Sequence, residues 1–231
     1  MPLGFIHSTL PALYMLAGMS ACPQQGPVDV QINLVTQASP YVTDVSSQSL
    51  TQEMRNDPDS SAFTDGKWMT GGVTKSNVTG KANAQFRQMK NTRTGETCFA
   101  VARMNYDLVY APVIYIASDF TQMGCRYSAT LMHEKRHVST DMRTFNEYLP
   151  QMKQAMQAYA QNLRPQGPYP AAQVEDEERR VIQEIAAAAE PLVAQLVEVR
   201  RKRQGEIDTE QNYLRDTALC PGQFPKFDGT R

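Results

Sequence analysis

The chain has 231 residues and a mass of 25.9 kDa, enough for one domain with an extension or for two small ones. Its formal net charge is −1 and its pI is near 6.3. That balance lacks the basic excess of a nucleic-acid-binding protein, so no nucleic-acid partner is expected, and no global charge draws the chain to an anionic membrane.

The first charged residue is Asp29. Ahead of it, Leu10 to Met19 is apolar, too short to span a bilayer comfortably and of the length of a signal-peptide core. Residues 1–22 therefore read as a signal peptide, although its leading segment carries His7 and no Lys or Arg. Ser20 and Ala21 precede Cys22, an arrangement similar to the bacterial lipoprotein signal, with Met19 where leucine is usual. A lipidated Cys22 would anchor the protein to a membrane, whereas an ordinary cleaved signal would leave Cys22 just inside the mature chain. Both place the protein outside the cytoplasm, in a bacterial periplasm, at the outer membrane or secreted.

Four cysteines are present, Cys22, Cys98, Cys125 and Cys220, and none forms C-x-x-C. A cysteine zinc cluster is therefore not expected, and export makes disulfides permissible. Cys98 and Cys125 flank a strand-rich stretch and could staple it. Cys220 is left free if Cys22 is lipidated; otherwise Cys22 and Cys220 could tie the two ends together.

In chain order, Val28 to Val35 alternates early and reads as a strand. Ser46 to Arg55 suits a short helix with Ser49 or Thr51 as its cap, closed by a turn at Asn56-Asp57-Pro58-Asp59. Thr64 to Thr79 is rich in Gly and Thr and suits a twisted hairpin, and Asn91 to Gly95 reads as a turn. Thr97 to Asn105 and Leu108 to Ser118 are the strongest strand signals. Pro112 removes a backbone donor from the second of these and predicts an edge strand, to which a peptide substrate could add its own backbone.

Arg126 to Leu149 reads as a helix with an apolar stripe at Tyr127, Leu131, Val138, Met142, Phe145 and Leu149, ended or kinked by Pro150. Gln151 to Leu163 resumes the pattern, and Arg164 to Pro170 is a linker. Ala171 to Thr217 is mostly helix-forming, with a seam at Val181, Ile185, Leu192, Leu196 and Val199 interrupted at Pro191. This helical extension either packs on the preceding domain or receives a helical partner.

On the first of these helices stands His133-Glu134-Lys135-Arg136-His137, which holds two of the three histidines in the chain. Residues i and i+4 share a helix face, so both imidazoles can hold one Zn²⁺, and Glu134 can serve as general base to a water at the metal. A catalytic zinc site takes three protein ligands and keeps one position open. Glu184 and Glu178, in the helical extension, are the first choices for the third ligand, and Glu147 is a weaker one. Glu147 lies about 15 Å beyond His137 on a straight helix. Asp141 lies about 12 Å along the axis from His133, too far to ligate with both histidines, and reads either as a carboxylate orienting His137 or as a solvated helix charge. Tyr110, Tyr115 and Tyr127 are candidates to stabilise the developing oxyanion.

The stretch Tyr106–Val138, with its strand, Cys125 and the phrase Ala129-Thr130-Leu131-Met132-His133-Glu134-Lys135-Arg136-His137-Val138, resembles the bacterial predicted secreted zinc-dependent proteases of the zincin class. The resemblance covers about the middle hundred residues. It implies an exported enzyme with a strand-rich first half, His133 and His137 as zinc ligands, and Glu134 as catalytic base. Members often carry a small residue between the histidines, where this chain has Lys135-Arg136.

The leading expectation is thus an exported zinc metallopeptidase with one Zn²⁺ and a peptide or protein substrate. It would comprise a zincin-like domain at 26–164 and a helical extension at 165–231. The alternatives are a non-catalytic cell-envelope interaction protein carrying a chance motif, and a structural zinc site, which would need four protein ligands. Strands precede helices, so the expected fold is α+β, with a mixed or antiparallel sheet packed on the motif helix. A working motif would aim Glu134 and both imidazoles into a cleft with a third carboxylate in reach. A chance one would pair Glu134 with Lys135, Arg136 or Arg103.

Overall fold

The computed structural model describes residues 22–24, 26–56, 69–120 and 124–224. The signal-peptide reading of residues 1–21 and the turn at 57–59 lie outside them. The element order is β1 (Asp29–Thr36), β2 (Tyr41–Val42), α1 (Ser47–Asn56), β3 (Gly72–Lys90), β4 (Thr97–Ile116), α2 (Gly124–Gln161), β5 (Gln166–Tyr169), α3 (Ala171–Gly205) and α4 (Glu210–Ala218). This is an α+β arrangement in which α2 and α3 pack on one face of a five-stranded mixed sheet.

The sheet is built around β4, which is one continuous strand rather than two. β3 runs antiparallel along its whole length, while β1 and β2 pair parallel and β5 antiparallel on the other side. From Met104 to Ile116 its residues alternate: Met104, Tyr106, Leu108, Tyr110, Ile114 and Ile116 are all buried against the helices. A register shift opposite Gln85/Phe86 leaves one extra residue on β4. It keeps Phe99 and Val101 in the same core as Met104. Of the region expected to be a hairpin, residues 64–68 lie outside the described ones, and from Gly72 on it is the start of β3, a single 19-residue strand. The β3–β4 hairpin closes at Asn91–Gly95, where Gly95 has a φ of 77° and donates to Asn91 O at 2.8 Å.

Pro112 does not mark an edge. It stands in the central strand, where β1 ends opposite Tyr110 and β2 begins opposite Ile114. On that side Gln37 N donates to Tyr110 O and Ile114 N donates to Pro40 O. Pro112 shares their parity and so faces the gap where the chain has left the sheet, and its missing N–H costs no ladder bond. One edge of the described sheet is β3, and β1, β2 and β5 make the other.

Two helices tolerate internal prolines. Helix α2 continues through Pro150 and α3 through Pro191, each forgoing one backbone hydrogen bond. The buried residues of α2 recur at Ala129, His133, His137, Asp141, Phe145 and Tyr148. The stripe expected at Tyr127, Leu131, Val138, Met142 and Leu149 is only half-buried. The reason is that α2 is gripped from two sides, by the sheet and by α3 with α4. Its most buried line therefore lies between those flanks, and that line carries the two histidines. The seam of α3 is buried at Val181, Ile185, Ala189 and Leu196, in the same core as Phe99, Tyr110 and Phe145. At α1 the cap is Ser46, whose Oγ accepts from Ser49 N at 3.2 Å, rather than Ser49 or Thr51. Asp119 accepts further bonds from Ser47 N and Oγ at 2.9 and 2.7 Å.

Two disulfides are formed, Cys22–Cys98 and Cys125–Cys220. Both expected pairings, Cys98–Cys125 and Cys22–Cys220, are thereby corrected. The Cys22 sulfur is bonded to Cys98 and is not available for the thioether of a lipid anchor, nor is Cys220 a free thiol. Two disulfides fit an oxidising, extracytoplasmic compartment. No described helix is long and apolar enough to cross a membrane.

Candidate metal centre

His133 and His137 lie one turn apart on α2, with Nε2 atoms 3.1 Å from each other. Asp208 completes the cluster, its Oδ1 lying 3.1 Å from both Nε2 atoms. The three ligand atoms thus form a nearly equilateral triangle. A tetrahedral ion with ligands at about 2.0–2.1 Å has ligand–ligand edges of about 3.3 Å, so the triangle fits a zinc-sized ion with a fourth position open. Two imidazoles and one carboxylate also suit ferrous iron, so the donors alone leave the metal's identity open.

Asp208 sits in the link between α3 and α4, just ahead of Thr209, whose side chain accepts from Asn212 N and caps α4. None of the three carboxylates expected as third ligand is at the site. Glu178 accepts from Gln88, Glu184 pairs with Arg180, and Glu147 pairs with Arg203. Glu147 and Glu184 are exposed and Glu178 is half-buried, and none of them joins the cluster. The helical extension does supply the third carboxylate of the cluster, but from the break that ends α3. Gly205 and the capping Thr209 bracket that break in the sequence. They were the available signal, hidden when Ala171 to Thr217 is read as mostly helix.

The histidines are held from behind. His133 Nδ1 lies 3.0 Å from Asp216 Oδ2, and Arg136 also pairs with Asp216. His137 Nδ1 meets Gln204 Oε1, while Gln204 Nε2 donates to His137 O at 3.1 Å and to Asp141 Oδ1 at 2.6 Å. Each Nδ1–H then has its acceptor, which leaves both Nε2 atoms for a metal. Asp141 therefore acts on His137 through Gln204 rather than by direct contact. It is itself clamped by Arg200 Nε and Nη2 at 2.9 and 2.6 Å and by Tyr110 Oη at 2.8 Å.

Glu134 is 3% exposed, and its Oε2 accepts from Thr74 Oγ1 at 2.8 Å. None of the cations that could neutralise a chance motif reaches it. Arg136 is on Asp216, Arg103 on Asp29, and Lys135 lies over the Tyr41 ring. Burial pushes its carboxyl above the usual range, against the pull of His137, His133 and Thr74. In the metal-free protein, burial pulls His137 down, but the hydrogen bond and charge of Asp208, with Glu134 and Gln204, outweigh it and raise it to about 9. Burial pushes Asp208 up, yet the bonds from His133, His137 and Tyr213 hold it well below the usual carboxylate range.

The tyrosines nominated from sequence do not face the metal centre. Tyr110 is buried on Asp141, Tyr115 lies under Lys75, and Tyr127 packs into the cluster around Leu50 and Phe120. Tyr213 of α4 does face it. Its ring stacks on His133 with centroids 4.9 Å apart, and its hydroxyl donates to Asp208 Oδ1 at 2.7 Å. Beside this cluster a cleft of about 120 Å³ opens, walled in part by His133, Glu134 and Tyr213. No protein-family model, curated protein or solved structure matches the chain.

Proposed function

We propose that the protein is an exported zinc metallopeptidase that hydrolyses peptide bonds. The observation that carries this reading is Glu134, a buried carboxylate with no Lys or Arg side chain paired to it among the described residues, beside a three-residue cluster able to hold a metal and on the wall of a cleft. A structural zinc site would call for a fourth protein ligand. Among the described residues the cluster has three.

His133, His137 and Asp208 would hold the Zn²⁺, which would supply Lewis acidity towards a carbonyl and lower the pKa of water to near neutrality. Glu134 takes the proton of the attacking water and passes it to the leaving amine. Thr74 fixes Oε2. Gly72 leaves room beside the other oxygen, since a Cβ there would lie 2.9 Å from Oε1. The Tyr213 hydroxyl, which meets Asp208 Oδ1 at 2.7 Å in the metal-free protein, is assigned to the developing negative charge of the carbonyl, to which it would turn once a metal holds that oxygen. β3, which pairs only with β4 among the described residues, reaches the site at Gly72 and Thr74, where a peptide can add its backbone as a further strand.

The test is metal content beside activity. One zinc per chain should be retained in Glu134→Ala and lost in His137→Ala, with peptide cleavage lost in both. A folded protein that takes up no zinc when resupplied, or takes up only iron, refutes the assignment.

A further inference from the structure

The cleft beside Glu134 has a chemistry of its own. Most of its exposed surface is apolar, with Phe120, Ala129 and Phe224 as walls, although Thr70, Thr130, Asp216 and Thr217 also border it. The one buried cation there, Arg126, is covered by rings. Its guanidinium carbon lies 3.6 Å from the Phe120 centroid and 5.4 Å from that of Phe224. The Phe120 ring can lie where it does only because residue 71 is glycine, since a Cβ there would be 2.2 Å from Phe120 Cε2. The same cavity is bounded by His133, Glu134 and Tyr213, so whatever enters it is joined to whatever reacts at the metal centre.

Resting on the peptidase reading above, we propose that this cleft is the specificity pocket for a large apolar substrate side chain, leucine- or phenylalanine-sized, flanking the scissile bond. Its volume of about 120 Å³ is near the roughly 150 Å³ of an apolar cavity that accepts a benzene ring. Acidic and basic side chains are disfavoured, because they would give up their water for charged groups that are already engaged, Asp216 by His133 and Arg136, Glu134 by Thr74, and Arg126 by the Phe120 ring.

The experiment uses zinc-loaded protein and a peptide panel carrying Leu, Phe, Ala, Asp or Lys at each position flanking the cleaved bond. The wild type should favour Leu or Phe over Ala by roughly 10- to 100-fold in kcat/KM at one position. Ala129→Leu, one turn before His133, fills the pocket. Thr217→Leu narrows it from the partly exposed α4, and provides a second arm should the buried change fail to fold. With zinc content unchanged, either variant should lose the preference while still cleaving the Ala peptide. Cleavage without an apolar preference, or a preference unmoved in a folded, zinc-loaded variant, overturns the pocket and leaves the peptidase standing. No cleavage of any peptide by the zinc-loaded wild type overturns both.

Discussion

The two disulfides allow a controlled experiment on what holds the metal centre together. Cys125–Cys220 closes 95 residues of separation and Cys22–Cys98 closes 76. Chain-entropy arguments make each bond worth about 4–5 kcal/mol of folding free energy, and the two should differ by only about 0.2 kcal/mol because the dependence on loop length is logarithmic. Their places in the fold differ far more. Cys220 lies just past α4, so its bond to Cys125 pins α4 to the start of α2 and holds Tyr213 and Asp216 against His133. Cys98 is near the start of β4, beside β5, and touches none of the ligands. Replacing each pair by serine should therefore lower stability in denaturant by similar amounts. Only the Cys125→Ser, Cys220→Ser protein should also weaken zinc binding, by about 10- to 100-fold, the usual effect of losing groups that orient a metal-binding histidine. The assay is competitive zinc titration against a chelating dye, run beside urea unfolding of the zinc-free forms. Equal zinc affinities in the two variants, or a loss confined to the Cys22 and Cys98 variant, would refute the idea that the second disulfide braces the site.

Asp216→Asn should lower zinc affinity by about 10- to 100-fold with the fold intact, measured by the same titration, because His133 loses its carboxylate acceptor. Tyr213→Phe should keep zinc and lower kcat by about 100- to 1000-fold, with KM little changed, in steady-state peptide cleavage. Arg200→Ala should cost roughly 3–5 kcal/mol in chemical denaturation, since Asp141 would be left buried without its cation; Arg200 and Asp141 side chains are 11% and 2% exposed. Zinc-free protein should lose stability as pH rises from 6.5 to about 9, because the raised His137 favours the folded state fully below 6.5 and loses that advantage on deprotonation. The change should be on the order of 3 kcal/mol or less, shared with Asp208, and urea unfolding at several pH values reads it directly. Zinc uptake at neutral pH should then release a proton, visible in a weakly buffered titration.

The metal-binding face of α2 was legible because it is local. A period of 3.6 residues places positions 133 and 137 on one face whatever the rest of the chain does, and Glu134 follows from the same turn. The strand-first, helix-later order was likewise enough for an α+β layout. What the sequence could not yield depends on which distant segments meet. Asp208 is 71 residues from His137 in the chain. Nothing in its neighbourhood separates it from Glu178 or Glu184 until α3 is seen to end at Gly205. The cysteine pairings needed the positions of four separated backbone points, since composition permits any of them. Pro112 was read as an edge signal, because a missing donor normally means an unpaired strand. Only the tertiary structure reveals that β1 leaves and β2 arrives at that residue, so the bond it lacks had no partner to lose. The sequence by itself determined the motif and its helix. Long-range packing decided the third ligand, the Tyr213 hydroxyl and the apolar cleft, because each arises only where α4 and the end of β4 close over α2.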